Sequence, residues 1–131
     1  MTRAFAPIAS ATPAADSIIL DAARSWRSAR DNGRPVQPAL FQTLDAHEWG
    51  VLAPAFDSLM TLYETCSGHE FSVDRDGEET ISDDEHRLLG LLEGTSSSEE
   101  TMLMEEAANH DLAPAMRVAL HSTRAMILDR S

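Results

Sequence analysis

The feature that most constrains the fold of this chain is the spacing of its apolar residues, which recurs with the period of an α-helix. In the clearest segment the apolar side chains lie three or four residues apart or side by side, and so share one helical face: Leu52, Phe56, Leu59, Met60 and Tyr63. Pro54 lies near the start of this segment and Gly68 follows its end, which are the places these residues favour at helix boundaries. The pattern predicts a helix that contributes one face to the core.

Capping residues mark the starts of two further helices. Ser82-Asp-Asp-Glu85 has the sequence of a capping box, in which the serine hydroxyl accepts from the third helical N–H and the glutamate carboxylate accepts from the cap N–H. Ser97-Ser-Glu-Glu100 repeats the pattern. Together with the proline and glycine boundaries, these signals predict helices that begin near residues 14, 38, 52, 82, 97 and 111.

The amino-acid composition also favours helices. Aromatic residues make up only 5% of the 131 residues, against 43% for all apolar residues, so Leu, Ala, Met and Ile must build most of the core. That mixture favours helices over strands, and a chain of this length suits one domain. We therefore predict a mostly α, single-domain bundle of five or six helices over residues 14–131, preceded by a flexible tail over residues 1–13.

Residues 70–81 do not follow the helical pattern. Apolar residues are sparse there, and Asp76-Gly77 is a dipeptide that favours a tight turn between two strands. The stretch therefore has two interpretations, a short β-hairpin or an acidic loop. The sequence leaves both open.

The net charge of −12 is concentrated in the middle of the chain. Residues 45–111 contain eighteen acidic residues and two arginines, whereas residues 1–44 and 112–131 each contain two more arginines than acidic residues. The chain has no lysine, so arginine supplies every permanent positive side-chain charge. We expect the basic ends to pack against the acidic middle. We expect no direct binding to nucleic acid or to a membrane, because like charges repel.

Cys66 is the only cysteine of the chain, which excludes an intramolecular disulfide and a cysteine-rich zinc site. Together with the lack of a long apolar run, this predicts a soluble protein of the cytoplasm. Cys66 lies near the C-terminal end of its predicted helix, where the helix dipole disfavours a thiolate. No nucleophile elbow, phosphate-binding glycine loop or dinucleotide fingerprint is present, so the sequence favours a protein that is not an enzyme and gives no sign of a cofactor.

Residues 72–83 partly match a calcium-binding loop, which needs oxygen ligands at alternating positions, a glycine at the sixth and a carboxylate at the twelfth. Asp74, Asp76 and Asp83 occupy the third, fifth and twelfth positions, and the sixth is a glycine. The eighth position, however, is a glutamate where the loop pattern has an apolar residue. A solvated acidic loop is the alternative.

A second candidate metal site combines residues of two predicted helices. Asp83 and His86 are three residues apart, and Glu106 and His110 are four apart, so each pair lies on one helical face. If both pairs point inward, they form a two-helix site of carboxylates and imidazoles. Helix capping and surface pairing by the histidines is the alternative.

Arg117, His121 and Arg124 share a face of the last predicted helix, away from its apolar face. This basic stripe is a candidate surface for binding a partner. Pairing with acidic residues of the same chain is the alternative.

These features favour a small acidic protein that acts by interaction or regulation and binds a protein partner or a second copy of itself. The positive indications are its acid-rich capped helices and its flexible methionine side chains, which suit adaptable apolar surfaces: Met102, Met104, Met116 and Met126. The alternative function is a helical bundle that binds a metal or a small ligand through histidine and carboxylate groups.

Overall fold

The computed structural model describes residues 7–73, 81–94 and 97–130, without the side chains of 7–14 and 130. These residues form a small all-α domain with six α-helices and one 3₁₀ turn, and they include no β-strand. The α-helices are α1 (Pro7–Asp31), α2 (Val36–Asp45), α3 (Ala53–Ser67), α4 (Asp83–Glu93), α5 (Ser97–Asn109) and α6 (Ala113–Arg130), with the 3₁₀ turn Gly50–Leu52 before α3. The prediction of a mostly α bundle is confirmed. Asp76-Gly77, the turn of the possible hairpin, lies outside the described residues.

The first helix begins earlier than the sequence pattern indicates. We predicted its start near residue 14, whereas α1 begins at Pro7, so residues 7–13 of the predicted tail belong to the helix and residues 1–6 lie outside the described part. Alanine has the highest helix propensity of all residues, and proline is favoured at the first helical position. The alanine-rich stretch that follows Pro7 therefore extends the helix without a long apolar stripe.

Helix α3 lies at the centre of the packing and contacts α2, α5 and α6, while α1 packs against α2 and α4. The predicted apolar face is buried, with its first residue, Leu52, in the 3₁₀ turn and the other four in α3. The buried residues of α3 are Ala53, Phe56, Leu59, Met60, Tyr63 and Cys66. Gly68 ends the helix with φ of 80°, a left-handed conformation that glycine adopts without a Cβ clash. The predicted core helix is confirmed.

The two predicted capping boxes have different outcomes. Ser82 caps α4 as predicted: its hydroxyl accepts from the Glu85 N–H at 3.0 Å, and the Glu85 carboxylate accepts from the Ser82 N–H at 2.9 Å. Helix α5, by contrast, begins at Ser97 itself, so Ser97 is its first residue and not its cap. The carboxylate of Glu100, the expected partner in that second box, accepts a hydrogen bond from Arg124 on α6. An interhelical ion pair thus replaces the local cap.

The segment between α3 and residue 73 is anchored by Phe71, whose side chain is fully buried. Its ring packs edge-to-face on Tyr63, with the ring centroids 5.5 Å apart. Its backbone N–H donates to Glu64 at 2.7 Å, and its carbonyl oxygen accepts from the guanidinium of Arg27. The side chain and backbone of Phe71 therefore hold a non-helical segment against α3, and its carbonyl oxygen ties the segment to α1.

We predict that Phe71→Ala lowers the free energy of unfolding by about 3–5 kcal/mol, because it leaves a cavity beside Tyr63. Urea denaturation followed by circular dichroism measures this change. Phe41→Ala is the matched control, since Phe41 is 48% exposed and its truncation should cost less than about 1 kcal/mol. Equal losses in the two variants would contradict the anchoring role of Phe71.

Candidate functional site

The arginines of α1 bind acidic residues of the middle of the chain. Arg24 forms a forked pair with Glu85, with Nε to Oε2 at 2.7 Å and Nη2 to Oε1 at 3.2 Å. The Glu85 side chain is fully buried and also completes the cap of α4. A buried carboxylate of this kind needs a charge partner, so Arg24 fixes α4 against α1.

Arg30, six residues beyond Arg24 in α1, makes the corresponding contact with α3. Its guanidinium forms a forked pair with Glu64, with Nη2 to Oε2 at 2.7 Å, and its Cζ lies 4.5 Å from the ring centroid of Trp26. The stack on Trp26 keeps the guanidinium plane in place. Hydrogen bonding to Glu64 raises the pKa of Arg30 further, so the group stays charged at every accessible pH.

Arg124 of α6 binds the end of α4. Its guanidinium donates to the Leu91 carbonyl oxygen at 2.9 and 2.6 Å and to Glu100 at 2.6 Å. A cation is favourable here, because the last carbonyls of a helix carry its negative dipole end. With the pairs made by α1, this contact confirms that the basic ends of the chain pack against its acidic middle.

We predict that Arg24→Met lowers the free energy of unfolding by about 3 kcal/mol, because it leaves the buried Glu85 carboxylate without its guanidinium partner. Arg34→Met is the control: Arg34 is exposed and makes no ion pair within the described part of the chain, so its change should stay below about 0.5 kcal/mol. Chemical denaturation of both variants measures the difference. A loss below 0.5 kcal/mol in Arg24→Met as well would show that the pair does not hold α1 on α4.

The strongest concentration of polar groups surrounds Asp84, the neighbour of Glu85. Its carboxylate accepts from the Tyr63 hydroxyl at 2.6 Å and from the Ser72 N–H and hydroxyl at 2.8 and 2.9 Å. His69 Nε2 lies 3.1 Å from the same carboxylate, with most of the imidazole in solvent. This group, which we call the Asp84 cluster, joins α3, α4 and the segment before residue 73.

Ionisation of the Asp84 cluster follows from these contacts. Burial alone would raise the pKa of Asp84, but the hydrogen bonds from Tyr63, Ser72 and His69 outweigh it and lower the pKa below its usual range. Burial, followed by the hydrogen bond to Asp84, raises the pKa of Tyr63 well above its usual value. At neutral pH the cluster is therefore a carboxylate bound by a neutral phenol.

The lowered pKa of Asp84 makes stability depend on pH in acid. In the unfolded chain, the pKa of an aspartate is about 4. The stabilisation from Asp84 is therefore complete above that pH, and it is lost as the pH falls through the lower pKa of Asp84 in the folded state. We predict that Asp84→Asn is less stable at pH 7 and that its stability falls less steeply below about pH 4 than that of the wild type. Denaturation curves over this range measure both effects.

Asp83→Asn is the control for this measurement, since Asp83 is the adjacent residue and is exposed. It should keep the acid dependence of the wild type. Identical pH profiles for Asp84→Asn and the wild type would show that Asp84 has no special part in the acid transition.

The residues of the predicted two-helix metal site lie in different surroundings. Glu106 binds the Arg87 guanidinium at 3.1 Å, and Asp83 and His110 are exposed. His86 is exposed beside a groove that Asp16 and Glu93 also line. Within residues 7–73, 81–94 and 97–130, no group of three or more histidine, cysteine or acidic side chains is placed to hold a metal ion. The two-helix site stays a prediction.

Arg87 contacts Glu106, one of the residues of that predicted site, and also lies close to Glu99 and Tyr63. Its Nε lies 3.0 Å from Glu99 Oε2 without hydrogen-bond alignment, and its Cζ lies 5.5 Å from the Tyr63 ring centroid. The pair with Glu99 is thus an electrostatic contact. Glu99 and Glu106 are both used to balance this cation.

The groove beside His86 brings two carboxyl groups together. Burial raises the pKa of Glu93, and a hydrogen bond to Asp16 and the charge of Asp16 raise it further. Glu93 therefore retains its proton to higher pH than a lone glutamate does.

The predicted calcium loop is described only at its two ends. Asp74 and Asp76 lie outside the described residues. Ser72, at the first ligand position, donates its hydroxyl hydrogen to Asp84, and Asp83, at the twelfth, lies exposed in the first turn of α4. The loop stays a prediction.

The basic stripe of α6 divides between two environments. Arg124 binds residues of its own chain, as the alternative interpretation of the stripe holds, whereas Arg117 and His121 are exposed. Arg117 lines a shallow groove between α5 and α6 and makes no ion pair with any described residue. Binding of a partner by Arg117 and His121 stays a prediction.

Cys66 is buried, and burial followed by the charge of Glu106 raises the pKa of its thiol. A thiol in this setting is a poor nucleophile at neutral pH, as its position near the end of α3 predicts.

Among the described helices, none combines the length and the apolar character needed to cross a membrane.

Six further acidic side chains contribute negative charge to the described surface. They are exposed and lack an ion pair with any described arginine: Asp21, Asp45, Glu48, Asp83, Glu105 and Asp111. By contrast, five arginines with described side chains have acidic partners: Arg24, Arg27, Arg30, Arg87 and Arg124. Among the described arginine side chains, only Arg34 and Arg117 are exposed without such a partner, so the described surface carries more unpaired carboxylates than unpaired arginines.

Comparison with known proteins finds no match for this chain. No protein-family model matches the chain, and neither a curated protein nor a solved structure matches it.

Sequence reasoning missed the Asp84 cluster. Asp84 lies between a capping serine and glutamate in a run of acidic residues, a setting that predicts exposure to solvent. The capping box itself carried the available signal, since helical geometry then turns Asp84 toward the same side as Leu88, which is buried. Tyr63 and Ser72 could not be assigned to it without the tertiary structure.

Proposed function

We propose that this chain is a small, non-enzymatic interaction protein that binds a cationic partner protein through its acidic surface. The observation that supports the proposal is the division of charge in the fold: arginines are used in internal ion pairs, and exposed carboxylates are left without them. A net charge of −12 adds a long-range attraction toward a basic surface.

The free-energy cost of keeping the unpaired carboxylates ionised is small, because they are exposed to solvent. A partner that brings lysine or arginine to them gains electrostatic energy without first breaking internal ion pairs. Asp45 and Glu48 flank the turn after α2, and Glu105 and Asp111 lie near the turn after α5, so two turns of the described surface offer such groups. Association of this kind is fast and strongly dependent on salt.

The place of action that we propose is the cytoplasm. The thiol of Cys66 is buried and its pKa is raised, which suits a protein that keeps a free cysteine in a reducing compartment.

We expect a tagged full-length chain to capture a basic protein in near-stoichiometric amount from a soluble extract of its source organism. The bound protein should be released as salt rises from about 50 to 500 mM, because this range shortens the Debye length from about 14 to 4 Å. Quantitative mass spectrometry of the eluted fractions measures both the identity and the salt dependence.

A charge-reduced variant provides the decisive comparison in this experiment. It carries Asp21→Asn, Asp45→Asn, Glu48→Gln, Glu105→Gln and Asp111→Asn, all at exposed positions without a described arginine partner. The control variant keeps the net charge of the wild type and carries three uncharged substitutions at other exposed positions, Ser58→Asn, Thr61→Asn and Thr65→Asn. Loss of the partner in the charge-reduced variant alone supports the proposal. Equal capture by all three proteins, or capture of no protein, contradicts it.

A further inference from the structure

The acidic surface contains an apolar groove where α2, the 3₁₀ turn and α3 meet. The groove has a volume of about 480 Å³ and is lined by Gln37, Pro38, Phe41, Gly50, Val51, Ala53 and Pro54. Phe41 is 48% exposed and Val51 is 51% exposed, so both hydrophobic side chains present much of their surface to solvent. We call this site the Phe41 groove.

Gly50 determines the shape of the Phe41 groove. A Cβ atom added to Gly50 would lie 2.6 Å from Phe41 Cε1, which requires the ring to shift, and 3.0 Å from Asp45 Oδ1, which is a tight contact. The absence of a side chain at Gly50 therefore leaves room for the Phe41 ring in its present position. Its bare backbone lets an aromatic ring and a carboxylate lie side by side against the same point of the chain.

Two carboxylates, those of Asp45 and Asp57, lie next to residues that line the groove. The Asp45 carboxylate lies against Gly50, and Glu48 lies two residues before it in the turn after α2, with a left-handed φ of 65°. Asp57 accepts from Gln37 Nε2 at 2.6 Å and from Trp26 Nε1 at 2.8 Å. No arginine of the described part of the chain forms an ion pair with these three groups. Asp45 and Glu48 are also exposed, so their charge is available to a cation from outside.

This combination selects one kind of occupant. A complementary occupant would place an apolar side chain between Phe41 and Val51, with lysine or arginine residues beside it that meet Asp45 and Glu48. A second copy of this chain would bring a net charge of −12 to the same carboxylates and would be repelled. An anionic lipid surface or a nucleic acid is disfavoured for the same reason.

We propose that the Phe41 groove binds an amphipathic basic segment of a partner protein, in which an apolar anchor lies between cationic residues. This inference rests on the proposed function and assigns its binding surface. Binding buries the exposed apolar area of Phe41 and Val51, and the surrounding carboxylates determine which segments are accepted.

Two synthetic peptides test the inference. The first has about 14 residues, or four helical turns, with two leucines spaced i and i+4 among arginines and alanines, and the second replaces both leucines by serine at the same charge. We expect the full-length protein to bind the leucine peptide about tenfold or more tightly than the serine peptide, measured by fluorescence anisotropy at about 50 mM salt. Amide chemical shifts of Gly50 and Val51 should move on titration.

Variants of the protein identify the surface. Phe41→Ser and Val51→Ser should remove most of the preference for the leucine peptide, whereas Asp45→Asn with Glu48→Gln should weaken binding of both peptides. Val118→Ser is the matched control, because Val118 is 65% exposed on α6 and does not line the groove. It should leave both affinities unchanged. Thermal unfolding of every variant confirms that each one is folded.

The outcomes separate this inference from the proposed function. Equal binding of the two peptides overturns the inference that the Phe41 groove binds an apolar anchor, and so does a leucine preference that survives Phe41→Ser and Val51→Ser. In either case the salt-dependent capture experiment can still support an acidic interaction protein. Absence of binding by both peptides also overturns the groove. A dimer in sedimentation analysis that dissociates on Val51→Ser would show that the occupant is a second copy, and it would overturn the proposed basic segment.

Discussion

The structure depends on two adjacent buried carboxylates in the first turn of α4. Glu85 is held by Arg24 of α1 and caps its own helix, while Asp84 accepts from Tyr63 of α3 and from Ser72. Neither charge could stay buried without these partners. The same turn therefore fixes the positions of α1, α3 and α4, and the remaining helices pack onto that frame.

The pairing of arginines with carboxylates inside the fold explains the negative charge of the surface. The chain has ten arginines, no lysine and twenty-two acidic residues, so each arginine that joins a buried carboxylate leaves fewer to balance the exposed ones. Arg30 and Arg124 are likewise paired within the chain, with the partly exposed carboxylates of Glu64 and Glu100. The acidity of the surface follows from the need to satisfy carboxylates between helices, and we infer function from that surface.

The sequence predicted much of the fold but little of the candidate site. The periodicity from Leu52 to Tyr63 and the capping box at Ser82 are local patterns, and the structure confirms both. The start of α1 differed because alanine-rich sequence extends a helix without an apolar stripe, and the box at Ser97 differed because Glu100 binds Arg124 on α6. The Phe41 groove was missed because residues 45–50 carry no periodic pattern from which to place Phe41 beside Gly50.

By itself the sequence determined the helical class, the positions of most helices, the excess of negative charge and the absence of a disulfide, since each depends on composition or on neighbours within a few turns. Only the tertiary structure decided which acidic residues are buried, which arginines they bind and which carboxylates remain exposed. Asp83 and Asp84 illustrate the difference, because they are adjacent and identical, yet one faces solvent and the other lies beneath Tyr63. Burial of a charge depends on partners from distant parts of the chain, and a local pattern carries no information about them.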